Sequence, residues 1–460
     1  MGARWACFSL ITVLALPVPS AAQLADIDPR VAELVASVSE TRLQATVEAL
    51  QGFHTRNTLS RQDDARQGIG AAATWLHAQF TAASPRLQVA FDDYEIPKQG
   101  DRIVRDTRVR NVMATLPGKS ARRIYVSGHY DSLARIVRPA AAATAAGGGA
   151  AGQRVADATG GFDWGNADNL APGANDDGSG TALVIELARV FAQSGLEFDA
   201  TLVFIALAGE EQGLVGAKLH AQKAAADKIR IDGVFNNDMV GNTVGGNGIV
   251  DAESVRVFAE GPEDSASRAM ARYIKRVAAR YVPSHTVRLI ARHDRFGRGG
   301  DHTAFNQNGF AGVRITESNE NFARQHTVDD TADAVDAAYM GRNARVNVAA
   351  MATMAMAPGA PQVTDDRGRP QLGRQPSGYD ARLQWKASDG AVAYRVYWRE
   401  AWTPDWQYDV VVGNVTTFVL PNVSIDDFVF GVSAIGPGGH ESVVAAYVNP
   451  PRGEQAITVK

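Results

Sequence analysis

The sequence has almost no cysteine: Cys7 is the only one in 460 residues. An intrachain disulfide is therefore excluded, and any bound metal must be held by His, Asp and Glu rather than by thiolates. A charge excess of one sign is lacking too. The net charge of −4 leaves no basic field for nucleic acid or an anionic membrane surface. Long apolar runs are missing as well. The run at residues 6–16 is about half of the ~20 residues that a spanning helix needs.

What is there begins with that short run. Arg4 precedes it, and Pro17, Pro19, Ser20, Ala21 and Ala22 follow. This is the order of a secretory signal peptide cleaved after Ala22. The expectation is an exported chain, periplasmic or extracellular, without a stable membrane anchor. Cys7 would leave with the leader. A core of this size does not need disulfides to persist outside the cell.

Residues 28–84 carry apolar residues at helical spacing: Val31, Leu34, Val35 and Val38, then Ala72, Leu76 and Phe80. Short apolar runs at 87–91, 109–116 and 124–127 predict strands. Residues 140–151 are nearly all Ala and Gly, and with the stretch to Leu170 they predict a long inserted loop, a candidate flap. Strands and helices then alternate. Strands are predicted at 201–208, 234–239 and 312–316, and helices at 181–192, 214–226, 268–280 and 333–356. That alternation predicts an α/β domain over 23–357, a mostly parallel central sheet flanked by helices. Residues 358–378 are predicted as a linker. Short aromatic-rich segments at 382–385, 394–398, 408–412, 417–420 and 428–435 predict a small all-β sandwich over 379–460.

Open α/β sheets gather chemistry at the carboxyl ends of their strands. After the strand at 124–127 stand His129 and Asp131, two apart: a ring for a metal and a carboxylate to orient it. Alone, such a pair is more often structural. Asp176 and Asp177 stand in a glycine-rich turn directly before a helix, where one Asp equally serves as a plain cap. Glu210 and Glu211 end the apolar strand at 201–208. One can bind metal while the other acts as a base, although a solvated acidic turn is the simpler reading of that pair by itself. Asp238 ends an apolar strand, a costly place for an unpaired carboxylate. His326 follows at the end, with Asp329 or Asp330 as candidate support for its ring. Taken together, His, Asp, Glu, Asp and His at successive strand ends form a ligand set for two zinc ions sharing one carboxylate.

At this point residues 40–350 resemble the co-catalytic zinc aminopeptidases of the bacterial leucyl aminopeptidase type, a family that includes relatives of glutamate carboxypeptidase. The motifs are SGHYDS, APGANDDGSG, LAGEEQGLVGA, NNDMVG and QHTVDDT. The resemblance implies the zinc exopeptidase fold, peptide substrates and two zinc ions per chain. It implies that Asp176 bridges them, that His129 and Asp238 complete one site, and that Glu211 and His326 complete the other. It further implies Glu210 as general base, Asp131 as the partner of the His129 ring, and a cis peptide between Asp176 and Asp177.

The chain departs from the family where some members carry a tyrosine that helps to stabilise the oxyanion, four residues before the pair that here is Asp301-His302. Gly297 stands there instead. Asp301 and His302 are expected to line the substrate pocket, with Arg295 or Arg298 as the replacement positive group. Those arginines also keep a carboxypeptidase or dipeptidase reading open. An inactive surface-binding protein and a one-zinc acyl transferase on the same fold are further alternatives, and the intact ligand set argues against both. The terminal module resembles a fibronectin type III domain, with Phe428 where many carry a corner tyrosine. Trp402 and Trp406 are its candidate contact patch for a surface or polymer.

Overall fold

The computed structural model describes residues 27–135 and 162–448. The leader, the Ala/Gly run of the inserted loop and the last residues of the β module lie outside them. Three helices come first: α1 (Pro29–Ala36), α2 (Glu40–Gln51) and α3 (Gly68–Ala83). The carboxylate of Asp28 caps α1 and the hydroxyl of Ser39 caps α2, each accepting from a backbone N–H of the first turn. The chain continues through β1 (Gln88–Ile96), β2 (Thr107–Leu116), β3 (Arg123–His129), α4 (Gly178–Gln193), β4 (Thr201–Leu207), α5 (Val215–Ala226) and β5 (Ile231–Asn237). Then follow β6 (Ser254–Ala259), α6 (Ala266–Tyr281), β7 (Thr286–Ile290), α7 (His302–Gln307), β8 (Gly312–Glu317) and α8 (Ala337–Met356).

These strands form one eight-stranded sheet in the order β1-β2-β4-β3-β5-β8-β6-β7. The centre, β4-β3-β5-β8, is parallel. The strands β1 and β2 add an antiparallel edge, and β6 runs antiparallel to β8. The apolar run of β4 serves two faces by strand alternation. Leu202, Phe204 and Ala206 join the large core under α4 and α8. Val203, Ile205 and Leu207 join a second cluster with Ala217 of α5 and Phe305 of α7. Helices thus cover both faces, which is why β4 carries no polar face at all.

Two strands, β6 and β7, and the helix α7 add to the elements predicted from sequence. The strand predicted at 234–239 stops at Asn237, so Asp238 lies just past its end. Residues 332–334 form a separate 3-10 turn before α8.

The C-terminal domain is all-β. Its strands are β9 (Leu372–Arg374), β10 (Ala381–Gln384), β11 (Ala393–Glu400), β12 (Tyr408–Val411), β13 (Thr417–Leu420), β14 (Phe428–Ile435) and β15 (Ala445–Ala446). They form two sheets, β13-β10-β9 and β12-β11-β14-β15, which share a core of Leu383, Trp385, Tyr394, Val396, Leu420 and Phe430. The stretch 358–378 is not a free linker: β9 pairs with β10, and Val363 is buried in the same core. The domain docks through ion pairs. Buried Arg399 lies 2.7 Å from Asp264, Lys275 lies 2.6 Å from Asp405, and His440 lies 2.8 Å from Asp28. Trp402 is exposed, but Trp406 is half-buried against the Tyr397 ring and does not form a free patch with it.

Candidate metal centre

The parallel register sets His129 opposite Leu207, so β3 and β4 end together. Residues just past β3, β4 and β5 therefore meet the turn before α4 at one end of the sheet. Among the described residues, two groups bring three ligand atoms close together: His129, Asp176 and Asp238, and Asp176, Glu211 and His326. Asp176 belongs to both. Its Oδ1 lies 3.2 Å from His129 Nε2, and its Oδ2 lies 3.0 Å from His326 Nε2. Asp238 Oδ1 lies 3.8 Å from His129 Nε2, and Glu211 Oε1 lies 3.1 Å from His326 Nε2.

Backbone donors set this turn. Asp177 caps α4 through Gly180 N–H and also accepts from His129 N–H and Met239 N–H, which ties the ends of β3 and β5 to the start of α4. The Asp176–Asp177 peptide is cis. Asp330 accepts from the N–H groups of Asn175 and Asp176. It thus holds the Asp176 turn rather than the His326 ring, and Asp329 is exposed. Gln325 Nε2 donates to Asp176 Oδ2 at 2.7 Å.

The His129 ring is oriented by Nδ1, which lies 3.1 Å from the backbone carbonyl of Asp131 and 3.5 Å from its carboxylate. The Asp131 carboxylate instead accepts from Glu210 N–H, Glu211 N–H and the Thr58 hydroxyl. It fixes the Glu-Glu turn.

Electrostatics single out this cluster. Burial opposes charge on the His129 ring, yet Asp131, Asp176 and Asp238 outweigh it and raise its pKa well above the ordinary range. Burial also raises the Asp176 carboxyl, but the two histidines hold it well below the carboxylate range. Glu210 goes the other way: burial, Glu211, Asp238 and Asp301 push it well above, against His129. Positive charge is thus demanded at the centre of the carboxylates.

The donor set fits zinc: two imidazole nitrogens, carboxylates and no thiolate. With Nδ1 donating to a carbonyl, His129 Nε2 turns a lone pair toward Asp176 and Asp238 unless that nitrogen is protonated, and a cation between them resolves the repulsion. Buried Glu211 Oε1 accepts no well-aligned hydrogen bond although His326 Nε2 lies 3.1 Å away, as suits two ligand atoms facing a common ion.

Three supporting residues carry no motif. Buried Arg56 donates to the carbonyls of Tyr130, Leu50, Pro172 and Gly173, which knots the loops beneath the centre. Buried Arg314 in β8 pairs with Asp238 and Asp294. Buried Glu317 accepts from Asn175 and from Asn242 N–H. A charge inside an apolar strand was the available signal for Arg314, because burial without a partner is costly.

A cavity of about 340 Å³ opens over the centre. His129, Asp176, Glu210, Glu211, Asp238 and His326 line it. Arg102, Lys218, Arg295 and Arg298 supply cationic wall, and Phe162 and Trp164, at the end of the inserted loop, supply aromatic wall. Arg295 and Arg298 thus lie in the cavity wall, whereas Asp301 and His302, expected to line the substrate pocket, do not. Both are fully buried, outside the cavity lining, because they start α7 and His302 turns toward Glu260 at 3.4 Å.

A mixed α/β sheet whose strand ends present two His/carboxylate triads in a cleft defines a metal-dependent hydrolase. The chain belongs to peptidase family M28: that family's profile matches residues 111–351, which include every ligand candidate. A probable zinc metalloprotease of Pyricularia oryzae is 36% identical over 462 residues, covering 92% of this chain and 84% of its own. Solved structures show the fold. The Legionella pneumophila LapA aminopeptidase is 19% identical with a TM-score of 0.52, over 72% of this chain and 78% of that one. A Fimbriiglobus ruber glutaminyl cyclase is 19% identical with a TM-score of 0.50, over 68% of this chain and 94% of that one.

Proposed function

We propose that this M28 peptidase is an exported aminopeptidase that removes N-terminal residues from peptides and works with two zinc ions per chain. The observation that carries the reading is Asp176, whose two oxygens face one histidine each. His129, Asp176 and Asp238 would hold one ion, and Asp176, Glu211 and His326 the other. When bound, the zinc pair supplies Lewis acidity toward the scissile carbonyl and toward water. The Pyricularia oryzae relative, a probable zinc metalloprotease, supports zinc as the metal.

The position of Glu210 supports its role in moving the proton. It lines the cavity beside the ligands, and burial among carboxylates raises its proton affinity. Its carboxylate takes a proton from the attacking water and returns it to the leaving amine. A carboxypeptidase or dipeptidase reading has one specific support, the guanidinium groups of Arg295 and Arg298 in the same wall. Amino-blocked and carboxyl-blocked dipeptides separate the two: an aminopeptidase loses all turnover when the amine is blocked and still cleaves, at an altered kcat/KM, when the carboxyl is blocked.

The leader supports export, tested by sequencing the N-terminus of the secreted protein. The strand orders β13-β10-β9 and β12-β11-β14-β15 support a fibronectin type III-like module. Contact with a surface or polymer would rest on Trp402.

A further inference from the structure

Two cavities meet at the arginine wall. The chamber over the metal centre and an open groove of about 700 Å³ share Arg295 and Arg298. Beyond them the groove is lined by Arg256, Phe296, Asn319 and Phe322. At its base, the Glu320 carboxylate accepts from Arg256 at 2.7 Å, Arg295 at 2.5 Å and Arg298 at 3.1 Å. Three guanidinium groups thus draw on one carboxylate. Arg295 also reaches Asp294 at 3.0 Å, but Asp294 is shared with Arg314 at 2.7 Å. Arg314 in turn spends its other arm on Asp238, a candidate ligand. The junction is therefore short of negative charge. Arg298 is the most exposed of the three around Glu320, with 29% of its side chain accessible.

The rim is aromatic. Phe296 is 89% exposed and Phe322 is 63% exposed, an unusual position for rings that gain by burial. Arg292 lies 4.2 Å from the centroid of Phe296, and Arg298 lies 5.7 Å from that of Phe322. Each ring is thus steadied by a cation and left free on its other side.

We propose that this groove holds the peptide downstream of the bond that is cut. Phe296 and Phe322 grip its side chains, and Arg298 with Arg295 receives a substrate carboxylate. That carboxylate is either an acidic side chain or the C-terminus of a short peptide. The inference rests on the N-terminal reading above, in which the residue removed sits in the chamber and the rest of the chain must leave it. The shared arginines set the groove directly beside the chamber, and the charge deficit fits an anionic substrate. The enzyme is then a peptidase of oligopeptides that present a carboxylate beyond the bond that is cut, rather than of dipeptides alone.

The test compares kcat/KM of the zinc-loaded full chain on an alanine dipeptide acid, its C-terminal amide, an alanine hexapeptide amide, and hexapeptide amides with Asp at the second, third or fourth position. Wild type should favour the hexapeptide over the dipeptide amide. A preference for the dipeptide acid points to the terminus, and a preference for one Asp position points to the side chain. Phe296→Ser with Phe322→Ser should lower the hexapeptide-to-dipeptide ratio about tenfold, roughly what one well-buried apolar contact provides. Arg298→Gln should lower the ratio of acidic to neutral substrates by a similar factor. Cleavage from the amino end with no dependence on length or carboxylate, or variants that lower all substrates alike, overturns the groove and leaves the N-terminal reading standing. Cleavage only from the carboxyl end overturns both.

Discussion

Arg314 Nη2 lies 3.0 Å from Asp238 Oδ2, and the Arg314 side chain is wholly buried. The guanidinium holds a candidate metal ligand in place from behind and leaves the other oxygen to face His129. Replacing Arg314 by Met should be more damaging than a surface change, because it takes the guanidinium from buried Asp238 and leaves buried Asp294 with Arg295 as its remaining cation. The expected loss is about 3–5 kcal/mol of stability, together with weaker metal retention. Chemical denaturation and a chelator competition measure the two effects, and a near-neutral variant would contradict this role.

Glu210→Gln keeps the shape of the side chain and removes the proton acceptor. Zinc content should stay at the wild-type level, while kcat falls by about 10²–10⁴. Elemental analysis beside steady-state kinetics distinguishes this from a ligand loss, and full turnover in the variant would remove the assignment.

The metal-free protein should lose stability as pH rises. Burial pushes the Asp330 carboxyl up to about 7 and the Asp301 carboxyl up to about 8. The charges of Asp176 on the first, and of Asp131 and Asp238 on the second, add to this. Both folded values lie above the unfolded value of 3.8. Their stabilising contribution is therefore complete below about pH 4 and is lost as pH climbs through 7 and 8. The melting temperature of the chelated protein should fall between about pH 4 and pH 8 and level off above that, less so in Asp301→Asn. Zinc should flatten the profile. An unchanged or rising melting temperature for the chelated protein would oppose this.

Much of the centre was legible because ligand residues must stand at strand ends, and a His or Glu ending an apolar run is visible without coordinates. Other parts were not. The four partners of Arg56 are backbone carbonyls, which leave no mark in a sequence. Asp301 and His302 stand close in sequence to cavity-lining Arg298, but only the fold sets which way α7 turns them. Strands β6 and β7 were hidden because Arg256 and Arg288 interrupt short apolar runs. The start of the β module was hidden because Val363 is one apolar residue in a polar, proline-containing stretch.

The C-terminal domain should unfold together with the peptidase domain. Arg399, 1% exposed on its side chain, crosses the boundary to Asp264, which also pairs with Arg272 at 2.8 Å. Arg399→Ala leaves Asp264 with a weaker set of partners and should split a single calorimetric transition into two. One unchanged transition would show that the docking does not depend on this pair.

The most direct measurement is zinc stoichiometry across ligand variants, read by elemental analysis on the dialysed full chain. Wild type should retain two zinc ions. Asp238→Ala and His326→Ala should each lose one, and Asp176→Ala should lose both, since its carboxylate serves both groups. A wild type that holds a single ion, or an Asp176→Ala variant that still holds two, would contradict the shared-carboxylate centre.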